Sequence, residues 1–89
     1  MNLNLSKDAR DFLDKLQSKQ FKQVTTKIFA LLKDAYPTDA KHLEGHPGYR
    51  RVDSGEYRVC YFVEDSVIHV TAAGKRNDDD VYRKLGRKA

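Results

Sequence analysis

A chain of 89 residues and 10.3 kDa, 39% hydrophobic and 34% charged, has room for one modest core and not for two. Seventeen Lys and Arg against thirteen Asp and Glu leave a formal charge of +4 and an isoelectric point near 9.3, which calls for an anionic partner. Cys60 is the single cysteine, which excludes an internal disulfide and a cysteine-built zinc site, and no apolar run reaches the roughly 18 residues of a membrane span.

The first residues lack the basic-then-apolar layout of a secretory signal, so a cytoplasmic setting is expected. Leu3 to Leu5 reads as a short edge strand. Ser6 stands where an N-cap belongs, with Asp8 and Asp11 in the first turns, and Ala9, Phe12, Leu13 and Leu16 repeat on one helical face. After a short joint at Gln17 to Gln20, Phe21, Val24, Ile28, Leu31, Leu32 and Ala35 keep the helical period until Tyr36-Pro37 stops it. Two stripes so closely joined predict an antiparallel helix pair.

The period then changes. Thr38 to Glu44 is polar and leads through Gly45-His46-Pro47-Gly48 into the strand signal Tyr49-Arg50-Arg51-Val52, and Asp53-Ser54-Gly55-Glu56 reads as a hairpin turn with glycine supplying the positive φ. Tyr57, Val59, Tyr61 and Val63 alternate with Arg58, Cys60, Phe62 and Glu64. Glu64-Asp65-Ser66 turns the chain into Val67 to Ala73. Apolar residues on both faces of these strands predict helices on one side and a partly covered groove on the other. Asp78-Asp79-Asp80 then opens a short helix carrying Val81, Tyr82 and Leu85. The expected fold is α+β: an N-terminal helical hairpin packed on a three- to four-stranded, mainly antiparallel sheet, with a short C-terminal helix, residues 1–89 forming one domain.

The bases differ in kind along the chain. Residues 1–45 and 46–89 each carry a net +2, but seven of the eight bases in the first half are Lys and six of the nine in the second are Arg. The guanidinium fork matches phosphate oxygens, so a phosphate-facing site belongs in the second half, unless these arginines simply serve strands and ion pairs. His42 and His46 have a zinc-like spacing, but Gly45 and Pro47 oppose a helix there and no third ligand is near, so no metal and no cofactor is expected. Cys60, between strand neighbours, reads as a small hydrophobe.

What remains is Arg50 and Arg51, Arg58, Lys75 and Arg76, and Tyr82. Antiparallel pairing about residues 64–66 brings Arg76 beside Tyr57 and Arg58, and Arg50 or Arg51 joins across the hairpin. Such cations with a phenol can clamp a phosphodiester, stack a base and neutralise a phosphorane. The competing structural role for Arg58 and Arg76 is pairing with Glu64, Asp78 or Asp80, and for Tyr82 a place in the core.

The run His42-Leu43-Glu44-Gly45, Tyr49-Arg50, Gly55-Glu56-Tyr57-Arg58-Val59-Cys60-Tyr61, Gly74-Lys75-Arg76 and Val81-Tyr82 resembles the RelE branch of the RelE/ParE toxin superfamily over nearly the whole chain. The resemblance implies a toxin of a type II toxin–antitoxin system, a metal-independent mRNA interferase that cuts mRNA in the ribosomal A site and inhibits translation. It implies a cognate antitoxin partner, operator DNA reached only through the antitoxin complex, and no membrane. By this resemblance Arg58 contacts the scissile phosphate, Arg76 stabilises transition-state charge, Tyr82 stacks on or polarises the nucleotide, and Arg50 matches the first of two strand lysines; Arg51, Lys75 and Tyr57 join Arg50 in holding substrate. The family's two strand bases are separated by one residue, whereas Arg50 and Arg51 are adjacent and Val52 takes the second position, so the general base is unassigned, with His46 either a candidate substitute for it or a plain loop histidine. The bases that carry function on this reading are Arg50, Arg58 and Arg76.

The implied reaction is attack of a ribose 2′-hydroxyl on the adjacent phosphorus, leaving a 2′,3′-cyclic phosphate and a 5′-hydroxyl. A ParE-like toxin that inhibits DNA gyrase by binding is the rival reading, and an inactive relative working only with its antitoxin is a third. Tyr57, Tyr61 and Phe62 on an exposed sheet face are the expected seat of the antitoxin.

Overall fold

The computed structural model describes residues 1–78 and 80–88, with the side chains of 78, 80 and 86–88 outside the description. The elements are β1 (Asn2–Leu5), α1 (Lys7–Asp14), α2 (Ser18–Ala30), β2 (Lys41–His42), β3 (Arg50–Ser54), β4 (Tyr57–Glu64), β5 (Val67–Lys75), a 3-10 turn at Arg76–Asp78, and α3 (Asp80–Lys88). The strands form one five-stranded sheet in the order β1-β5-β4-β3-β2. β1 runs parallel to β5 and every other pair is antiparallel, so the fold is the expected α+β arrangement with a larger, mixed sheet. The strand missing from the sequence reading is β2, whose two polar residues carry no alternation to detect.

Local chemistry explains the entry to α1. Ser6 is extended and its Oγ accepts from the Ala9 amide at 3.1 Å, while the same hydroxyl donates to the Thr71 carbonyl at 2.8 Å, tying the helix start to β5. The second helix ends five residues short of the expected Ala35: hydrogen bonds from Leu31, Leu32 and Lys33 reach back three residues, and the Asp34 carboxylate accepts from the Tyr36 amide at 3.1 Å. Leu31 and Ala35 are nevertheless buried, so the apolar stripe outlasts the helix. Phe21, read as part of that stripe, is 43% exposed.

Both faces of the sheet are covered. On one side Ala9, Leu13, Val24 and Ile28 pack on Val52, Val59, Tyr61, Ile68 and Val70. On the other, Val81 and Leu85 of α3 pack with Leu43 on Cys60 and Ala72. The switch between faces in β5 comes from a bulge: Cys60 pairs with Ala72 but Tyr61 pairs with Val70, which leaves Thr71 as the extra residue. Without it Val70 and Ala73 would point to opposite faces; with it both enter the helix-side core. Gly55 and Glu56 form a two-residue hairpin loop with Gly55 at φ +60°, and a Cβ there would lie 2.9 Å from the Gln23 amide nitrogen.

Candidate functional site

Alternation along β3 and β4 puts Arg51, Asp53, Arg58 and Cys60 on the face opposite α1 and α2, and the antiparallel register sets Asp53 directly across from Arg58. The Asp53 carboxylate accepts from Arg58 Nε at 2.9 Å and from Nη2 at 3.5 Å. Two further guanidinium groups approach Oδ2, the oxygen that Arg58 Nη2 also reaches, Arg76 at 3.6 Å and Arg51 at 3.8 Å. Three cations about one anion leave a local charge of +2. The Arg58 side chain is only 15% exposed and Arg76 is 46% exposed, so the cluster grades from a desolvated base to an open rim. Gly74 stands across from Arg58 on β5 and adds no side chain to the face.

The electrostatics follow from this packing. Burial works to raise the Asp53 carboxyl, but the Arg58 hydrogen bond and the charges of Arg58, Arg51 and Arg76 outweigh it and hold the group below its ordinary value. Arg58 is raised by the same hydrogen bond, against burial, with the Asp53 charge and the nearby Tyr82 adding to the effect. Burial pushes the Cys60 thiol up to about 12, so this residue is no nucleophile and stays a core hydrophobe.

Of the residues singled out from the sequence, Arg58, Arg76 and Arg51 converge, while Tyr82 packs partly buried against the second core with its charge within reach of Arg58. Arg50 does not join: it pairs with Tyr61 in β3, faces the helix side, and sets its guanidinium carbon 4.7 Å from the Tyr36 ring centroid. β3 has no bulge, so two adjacent residues cannot share a face, and it is Arg51 that reaches the cluster. Tyr57 is likewise a core residue, 5.4 Å from Phe12 in an edge contact, and Tyr61 is buried with its hydroxyl donating to the Ala35 carbonyl at 2.7 Å. Neither tyrosine offers a surface to RNA or to a partner. Lys75 is exposed at the end of β5, across from Tyr57. Glu64 lies at the far end of β4, paired in register with Val67, while the side chains of Asp78 and Asp80, and the whole of Asp79, lie outside the described residues.

The residue that sequence reasoning missed is Asp53. Read as a turn residue, it belongs to β3, because the loop is two residues long and not four. The available signal was the alternation Tyr49, Arg51, Asp53, which continues the strand to the glycine.

A row of rings extends from the cluster across the same face. His46 lies 6.3 Å from Tyr82 and 6.0 Å from Tyr49, Tyr49 lies 5.1 Å from Phe62, and Phe62 stacks on His69 at 4.6 Å with 14° between planes. His42 is in β2, and among the described residues no three His, Cys, Asp or Glu side chains gather as a metal site. Nor is any described helix long and apolar enough to cross a membrane.

No family model and no curated protein matches this sequence. Solved structures do. The fold recurs in the intact Escherichia coli RelBE toxin–antitoxin complex, at 27% identity over 83% of this chain and 94% of that one, with a TM-score of 0.72. The isolated E. coli RelE toxin matches at 25% identity over 98% and 96% of the two chains, TM-score 0.74. The archaeal RelE–RelB complex from Pyrococcus horikoshii shares the fold at 24% identity over 84% and 93%, TM-score 0.72. The chain belongs to the RelE-like toxin superfamily.

Proposed function

We propose that this member of the RelE-like superfamily is the toxin of a toxin–antitoxin pair and an endoribonuclease that cleaves mRNA in the ribosomal A site. The observation that carries the reading is the convergence of Arg51, Arg58 and Arg76 on one sheet face. A phosphodiester entering there meets Arg58, already desolvated and oriented, and competes with Asp53 for its two donors. The ribose 2′-oxygen attacks phosphorus as the bond to O5′ breaks, so a proton leaves O2′ and another reaches O5′. Arg76 at the open rim takes the charge that grows on the phosphorane oxygens, and Arg51 fixes the adjoining phosphate. The Tyr82 ring supports the nucleotide. The products are a 2′,3′-cyclic phosphate and a 5′-hydroxyl.

A cognate antitoxin is the second part of the proposal. Its seat is a cavity of about 250 Å³ between β1, α1 and α2, lined by Leu3, Leu5, Leu13, Phe21, Ile28 and Phe29, whose two phenylalanines are 43% and 56% exposed. An amphipathic acidic segment suits these apolar rings on a basic domain. Primer-extension mapping of ribosome-bound mRNA, with an Arg76→Ala control, tests the activity. Cuts that need ribosomes and Arg76 support it; inhibition of gyrase supercoiling with no mRNA cuts would mean a ParE-like binding toxin instead.

A further inference from the structure

The RNA-cleavage reading accounts for the arginine cluster and for Tyr82 but gives the ring row Tyr49, Phe62 and His69 no part in the chemistry, although Tyr49 also packs against the second core. These side chains are half-buried, so each keeps ring surface open to solvent. They line or adjoin a cavity of about 320 Å³ walled by Pro47, Gly48, Tyr49, Phe62, Val63 and Glu64. His69 is further tied down by Asn4, whose amide nitrogen stands 3.2 Å from its Nδ1, which holds the imidazole against Phe62.

Resting on that reading, we propose that this row is a second subsite that stacks the unpaired base of a nucleotide flanking the scissile bond. Three observations select this occupant. The row is continuous with the phosphate cluster, because His46 bridges Tyr82 to Tyr49. Its rings are aromatic and imidazole, which stack any base in a sequence-tolerant way. The cavity wall carries the exposed Glu64 carboxylate, which repels a phosphate but accepts from the exocyclic amine of adenine, cytosine or guanine. The geometry thus separates the tasks: arginines hold the backbone at one end, and rings with one acceptor hold a base at the other.

The test is binding of 5′-labelled 2′-O-methyl RNA, which lacks the attacking hydroxyl, to the full chain and its variants by fluorescence anisotropy. Phe62→Leu keeps apolar bulk and removes the ring. It is expected to weaken a hexanucleotide about five- to tenfold, the low end of the loss of one stacked base, and to leave a dinucleotide unchanged. Arg58→Ala is expected to weaken both. Equal hexanucleotide binding by Phe62→Leu and the parent would overturn the subsite while leaving the cleavage site standing. Failure of the parent to bind the hexanucleotide would overturn the subsite, and binding indifferent to Arg58→Ala would overturn the phosphate contact on which both readings rest, while ribosome-dependent primer extension decides the cleavage reading separately. Loss of antitoxin affinity in Phe62→Leu with RNA binding intact would make the row a protein surface and overturn the proposal. If Phe62→Leu does not fold, His69→Ala, removing the stacked partner, carries the same comparison.

Discussion

Asp53 and Arg58 face each other across the β3–β4 hairpin, joined at 2.9 Å and 3.5 Å through both carboxylate oxygens. The carboxylate thereby occupies the position between the arginines that a phosphate oxygen would seek, and it keeps three repelling guanidinium groups within 4 Å of one point. On the proposed function it assembles the site and competes with substrate for it.

Asp53→Asn is therefore expected to split the kinetic parameters. With one negative charge gone the cluster rises from +2 to +3 and holds RNA more tightly, so KM falls several-fold. The guanidinium groups lose their common anchor and kcat drops about tenfold, the cost of one weakened charge-assisted hydrogen bond. Single-turnover cleavage on programmed ribosomes measures both. A fall in kcat with unchanged KM would remove the competition argument.

Arg76→Ala and Arg50→Ala are expected to behave oppositely. Arg76, 46% exposed, contributes little to the fold, and its loss should cut cleavage about a hundredfold or more with melting temperature unchanged. Arg50 lies over Tyr36 on the other face, so its removal should cost about 0.5–1 kcal/mol of stability and leave cleavage near the parent rate. Thermal melts beside primer extension decide between the two faces.

Acid should disclose Asp53. Its folded value is below the ordinary one of about 3.9, so its ionised form stabilises the fold fully above that ordinary value, and the contribution is lost as pH falls through the lower, folded value. Unfolding by urea at a series of pH values from about 6 to 2 is expected to show a slope below about pH 4 that is shallower in Asp53→Asn. An identical slope in both proteins would mean the carboxylate is not held ionised by the arginines.

Cys60 is expected to resist alkylation in the native protein at neutral pH and to react once urea unfolds it, since burial pushes the thiol to about 12. Cys60→Ser sets a hydroxyl among Leu43, Ala72, Val81 and Leu85 and should cost about 1–3 kcal/mol, with cleavage per folded molecule retained. Iodoacetamide labelling followed by mass spectrometry, with and without urea, reads the first expectation.

Amphipathic periodicity made the two helices, the hairpin and the long strands legible, because burial on one face is a repeating demand that composition records. β2 was invisible: two polar residues join the sheet through backbone hydrogen bonds alone, for which side chains carry no signal. The site was half legible. Arg58 and Arg76 follow from antiparallel pairing about one turn, which is local geometry. The choice of Arg51 over Arg50 depended on whether β3 bulges, and the true bulge lies instead at Thr71, where nothing in Val70-Thr71-Ala72 announces it. Asp53 went unseen because Asp before Ser-Gly is as good a turn former as it is a strand-end partner for arginine.

The parallel seam between β1 and β5 governs when the protein can come into being. Asn2 is partnered by Val67, so the first strand made waits for almost the last, and Arg76, which completes the cluster, is synthesised later still. A nascent chain holds its first helices and hairpin before it holds the seam or the third arginine. The proposed cleavage site is thereby completed only once Arg76 has been made and docked, after the strands that carry its other bases.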